Sequence, residues 1–180
     1  MTGLSNFFKR LESSESRVSW PAGLTVVLLC GLAARLAFSF YLSKFYFGSV
    51  SFTFGDSFSY TESFLNLLNY GHYTFDIGNT DAYIYRGPAY PLFWGAHYLV
   101  FGPDMVYQAV AFSQSILDTG TGFLIFLILR HQNFSNTLSL FGSILYIFNP
   151  VFLVHVPITG TETFATFITV FLAQVNTRRA

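Results

Sequence analysis

From Ala22 to Leu42 the chain runs for 21 residues with a single charge, Arg35. As a helix this run covers about 31 Å, the thickness of a bilayer's hydrocarbon core. Few folds other than a membrane helix accommodate such a segment. Composition agrees: 10% of residues are charged, against roughly 25% in soluble domains, and 20% are aromatic. Nine Lys and Arg balance nine Asp and Glu, which excludes a nucleic-acid binder working through a basic field. A lone cysteine, Cys30, excludes a disulfide scaffold. Lys9, Arg10 and Arg17 precede the apolar run, as in a secretory leader. The run is longer than a leader's core and no A-x-A site follows it, so it reads as an uncleaved signal anchor.

Three further spans are expected: 105–129, closed by Arg130-His131; 137–156, opened by the capping residues Ser135 and Asn136; and 158–175. Asn149-Pro150 inside the third predicts a kink or an early helix end. The last has 18 residues, about 27 Å if helical. The expected fold class is therefore an all-α integral membrane protein with about four transmembrane helices. Segments 1–21, 130–136 and 176–180 would be cytoplasmic and 43–104 a long outer loop. This orientation puts Lys9, Arg10, Arg17, Arg130, Arg178 and Arg179 inside and only Lys44 and Arg86 outside, as the positive-inside rule requires. On that topology Arg35 lies about 20 Å from the inner end of the first span and Asp118 about 17 Å from that of the second. Two opposite charges at similar depth predict an intramembrane ion pair.

The outer loop holds Asp56, Glu62, Asp76, Asp81 and Asp104. Within it, 57–70 reads as a helix with Asp56 as N-cap and Gly71 just past its end. Phe58, Thr61, Phe64, Leu65 and Leu68 would form its apolar face and lay it on the membrane plane. Residues 88–101 read as a second interfacial helix, about 21 Å long and stopped by Gly102-Pro103. Its Tyr90, Trp94 and Tyr98 suit the headgroup layer.

The stretches GDSFSYTESFLNLLNYGHYTF and AYIYRGPAYPLFWGAHYLVFG, a span carrying Gln114 and Asp118, and the later FNPVFLVHVPITGTETF together resemble polyprenyl-phosphate-sugar-dependent membrane glycosyltransferases. This is the C-type superfamily, which includes protein O-mannosyltransferases and the lipid A aminoarabinose transferase. The resemblance runs from Arg35 onward. It departs at Arg86-Gly87-Pro88, where the family commonly has two prolines after the arginine. Such enzymes have many more spans, so the chain looks like the N-terminal part of one, inactive alone. The resemblance implies the plasma membrane of a bacterium or archaeon, an active face outside, and an acceptor that is a protein, lipid or glycan. A divalent metal is implied only by the family, with Asp56 and Glu162 as the least poor ligands.

Transfer from a lipid phosphate needs a carboxylate to take the acceptor's proton and a cation to hold the departing phosphate. Asp56 matches the family's acidic residue of the first outer loop and is the candidate base; its plainer role is the helix cap. Glu162 is either a second carboxylate or half of a capping box with Thr159. Arg86 suits a phosphate with its fork of donors, or else contacts headgroups. Lys44 is a second phosphate-binding candidate or an interfacial anchor. His72, Asp76 and Asp81 lack tight metal-ligand spacing and read as loop structure. A non-catalytic four-span protein that binds polyprenyl lipid or partners a larger transferase subunit is the alternative. A transporter ranks below both, because its polar groups would gather at the midplane.

Overall fold

The computed structural model describes residues 21–48, 52–79 and 86–177. Lys9, Arg10, Arg17, Asp81, Arg178 and Arg179 lie outside the described residues. Every regular element among the described residues is helical. In chain order these are α1 (Ala22–Phe47), α2 (Ser57–Tyr70), α3 (Ala89–Phe101), α4 (Val106–His131), α5 (Asn136–Ile147), α6 (Pro150–His155) and α7 (Thr161–Thr177).

Helix α1 widens into a π-helical turn at Phe38–Leu42. Leu24, Gly31, Arg35, Phe38, Ser39 and Ser43 form its buried stripe. The spacing of three, four and seven residues keeps them on one face. The opposite face is also apolar, with Val26, Leu29 and Phe45 exposed. Helix α4 is the central element and packs against α1, α3, α5 and α7. It runs antiparallel to α1: Leu24 meets Phe126 and Leu127 near one end, and Arg35 meets Asp118 in the middle. These two helices are long and apolar enough to cross a membrane.

The other two expected spans are shorter as helices. α5 has 12 residues and is capped by Ser135, whose Oγ accepts the Leu138 N–H at 3.2 Å. It stops before Asn149, where the short α6 begins with Asn149 as cap and Pro150 in its first turn. Proline lacks the N–H that would continue α5, so 137–156 is two helices. α7 has 17 residues and starts three positions later than expected.

α2 ends on Gly71 at φ +75°, a left-handed conformation that glycine adopts without strain. Its buried side matches the expected apolar face only at Thr61 and Phe64. Ser59 and Ser63 are buried, whereas Phe58 and Leu68 are exposed. The hydroxyls are satisfied locally, Ser59 Oγ donating to Asp56 O and Ser63 Oγ to Ser59 O, so small polar side chains enter the interior at little cost.

α3 packs on α2. Tyr90 and Trp94 are core residues here, against the expectation of a headgroup position. Gly95 permits this: a Cβ there would sit 2.1 Å from the Phe64 ring. Phe64 therefore lies directly over the α3 backbone, and Tyr60, Phe64, Tyr90, Trp94, Val106 and Val110 close into one cluster.

Candidate functional site

Asp56 and Glu162 line one cleft where α2 and α7 begin, and Arg86 pairs with Asp56 beside it. Phe54–Ser57 forms a turn around Gly55, at φ +57°, and Ser57 Oγ donates to Thr159 O at 2.6 Å, tying the start of α2 to the segment before α7. Asp56 occupies the cap position of α2, yet its carboxylate makes no capping bond. It forms an ion pair instead, its Oδ2 lying 2.6 Å from Arg86 Nη2.

Arg86 is held on three sides. Its Nε donates to Ser59 Oγ at 2.9 Å, its guanidinium carbon lies 5.0 Å from the Tyr60 ring centroid, and Asp56 takes Nη2. Tyr73 Oη donates to Arg86 O at 2.8 Å and fixes the backbone. Burial, with Tyr60 nearby, raises the Tyr73 hydroxyl pKa and keeps it a donor.

Two clefts meet at Tyr60. One, of about 510 Å³, has Arg86 on one wall and the apolar Phe164, Ala165 and Ile168 of α7 on another. The second, of about 360 Å³, is lined by Asp56, His155 and Glu162. Glu162 is exposed in the first turn of α7, with its carboxylate lying against Gly160. The capping box expected with Thr159 does not form, because α7 starts at Thr161 and leaves Thr159 outside the cap position.

A buried bracket sets the height of that segment. Tyr90 Oη donates to Gln114 Oε1 at 2.8 Å and accepts the Gly160 N–H at 2.9 Å. Gln114 Nε2 donates to Val156 O at 2.6 Å and Ile158 O at 3.0 Å. Burial drives the Tyr90 pKa well above the ordinary tyrosine range, so its proton stays on the donor side of the bracket.

Arg35 and Asp118 also meet. Arg35 Nη2 lies 2.5 Å from Asp118 Oδ2, Nε donates to the same oxygen at 2.6 Å, and both side chains are essentially inaccessible. Tyr146 Oη donates to Asp118 Oδ1 at 2.5 Å. Arg35 Nη1 donates to Ile147 O at 3.0 Å, capping the last turn of α5, where a cation also suits the helix dipole.

The remaining candidates stand apart. Lys44 is exposed near the end of α1 and lines neither cleft. Asp76 Oδ1 accepts the Gly78 N–H at 3.0 Å, a turn contact. Among the described residues no three His, Cys, Asp or Glu side chains group as metal ligands. Asp56 and Glu162 line one cleft but do not by themselves make a protein-held metal site.

Ser59, Tyr60, Tyr90 and His155 also join the site; they lie within the stretches that carry the resemblance, but the sequence assigns them no site role. Ser59 and Tyr60 follow Asp56 by three and four positions, the spacing that shares a helix face, and this is the signal the sequence offers for them. No comparable signal marks His155, which reaches the cleft only because α5 breaks at Pro150. Comparison with family models, curated protein sequences and solved structures finds no match for this chain.

Proposed function

We propose that the chain is part of a multi-pass membrane glycosyltransferase that takes a sugar from a polyprenyl-phosphate donor at the two adjoining clefts, one walled by Arg86 and the other lined by Asp56 and Glu162. In this reading α5–α6 and α7 cross the membrane with α1 and α4, giving four spans. Both chain ends are cytoplasmic, and the clefts face outward from the plasma membrane. The observation that carries the proposal is Arg86, a guanidinium fixed by Ser59, Tyr60 and Asp56 at the wall of a cleft otherwise lined largely by apolar side chains. A lipid phosphate needs that combination: a fixed fork of donors for the phosphate and an apolar wall for the chain attached to it.

The chemistry is a displacement at the sugar's anomeric carbon. The acceptor's heteroatom bonds to that carbon while the carbon–oxygen bond to phosphate breaks. The electron pair stays on the phosphate oxygen, where Arg86 balances the charge. The acceptor's proton passes to the Asp56 carboxylate, the general base. Glu162 faces the same cleft and orients the acceptor.

Reconstituting the chain in lipid nanodiscs and titrating decaprenyl phosphate tests the reading. Wild type binds, excess phosphatidylglycerol does not displace the ligand, and Arg86→Ala weakens binding at least about tenfold, the loss expected of a charge-assisted contact. Equal binding by wild type and Arg86→Ala would refute it. Binding without sugar transfer in the full enzyme would leave a non-catalytic lipid-binding protein.

A further inference from the structure

The Asp56–Arg86 pair is asymmetric. Arg86 is anchored to Ser59 Oγ and the Tyr60 ring as well as to the carboxylate, and only 20% of its side chain is exposed. The Asp56 side chain is 69% exposed and makes no capping bond. Its backbone is pinned independently, because Asp56 O accepts both the Ser59 N–H at 3.0 Å and Ser59 Oγ at 2.8 Å. A competitor for the guanidinium would therefore displace the carboxylate by a side-chain rotation and leave both Arg86 and the turn in place.

We propose that this ion pair is a latch opened by the donor: the donor's phosphate takes the Arg86 guanidinium, and the displaced Asp56 carboxylate is thereby freed to act as the base. The proposal rests on the lipid-phosphate reading above. A phosphate presents several oxygens to the guanidinium fork and carries at least the charge of the carboxylate it replaces, so the exchange is favourable once the lipid chain is seated. Glu162, His155 and the Tyr60 hydroxyl are the other titratable groups lining the space into which Asp56 turns. Before donor binding the carboxylate is engaged with Arg86 and poorly placed to take a proton. Donor binding thus precedes productive acceptor activation.

Three proteins in nanodiscs, titrated with decaprenyl phosphate, test the latch. Asp56→Asn removes the competitor and should bind about two- to fivefold more tightly than wild type, the scale of a largely exposed ion pair. Glu162→Gln removes the same charge from the neighbouring cleft without touching the pair and should change affinity much less. Equal tightening in both variants, or none in Asp56→Asn, would overturn the latch while leaving the lipid-phosphate site standing. Failure of wild type to bind at all would overturn the site itself. Should Asp56→Asn misfold, isotope-edited infrared spectra of aspartate-labelled wild type decide the same question. The ligand must shift a carboxylate band out of its ion-paired position, and an unchanged spectrum on saturation would reject the latch.

Discussion

Replacing Tyr90 by Phe removes one oxygen and almost nothing else, because the ring keeps its place in the aromatic cluster beside Tyr60, at 5.3 Å between centroids. The lost hydroxyl serves two partners. Gln114 Oε1 loses its donor and the Gly160 N–H loses its acceptor. Tyr90 and Gln114 are 1% and 0% exposed, so water does not readily replace the hydroxyl. An unsatisfied buried polar group costs about 1–3 kcal/mol, and Gln114 keeps both of its Nε2 bonds. For the two groups a total of about 2–6 kcal/mol is expected, and for a chain of this size it lowers the melting temperature by roughly 4–24 °C. The assay is thermal unfolding in detergent followed by near-ultraviolet circular dichroism. Gln114→Leu and the double variant complete a cycle with Tyr90→Phe. Coupling above about 0.5 kcal/mol is expected for side chains in direct contact. Loss of less than about 0.5 kcal/mol in Tyr90→Phe, with no coupling, would refute the view that this bracket sets the position of the segment before α7.

Other perturbations test other parts of the molecule. Asp118→Asn or Arg35→Met should destabilise by about 3–5 kcal/mol, since each strands a buried charge; exchanging the two residues should recover part of the lost yield of folded protein, and no recovery would argue against direct pairing. Gly95→Ala should cost about 1–3 kcal/mol through the Phe64 ring, and Phe64→Leu in the same background should relieve it, both read by thermal unfolding. On the proposed sugar-transfer reading, Asp56→Asn should fold normally yet lower turnover by roughly a hundredfold or more, measured by transfer of radiolabelled sugar; near-normal turnover would remove Asp56 as the base. Cysteines at positions 79 and 135 should label from opposite sides of the membrane, and labelling of position 79 from the cytoplasmic side alone would overturn the four-span orientation.

Helix content and the two long apolar helices are legible in the sequence because they depend on local properties: runs of apolar residues, a glycine after Tyr70, and capping residues before α5. The break at Pro150 is legible too, since a missing N–H acts at its own position. The Arg35–Asp118 meeting follows from depth along two antiparallel helices, a one-dimensional count. What α2 buries is only partly legible. Periodicity names Phe58, Thr61, Phe64, Leu65 and Leu68 as one face. Thr61 and Phe64 are buried, but Phe58 and Leu68 are exposed and Ser59 and Ser63 turn inward instead, because which side is covered depends on the packing of Phe64 over Gly95. Likewise Asp56 carries the signature of a cap, yet its carboxylate goes to Arg86, a partner far along the chain that a local pattern cannot reveal. Local sequence decides where a chain is helical because those hydrogen bonds close within four residues. Which side chains meet is decided by packing between distant segments, and for the Asp56–Arg86 pair and the cleft shared by Asp56 and Glu162 that information exists only in the folded chain.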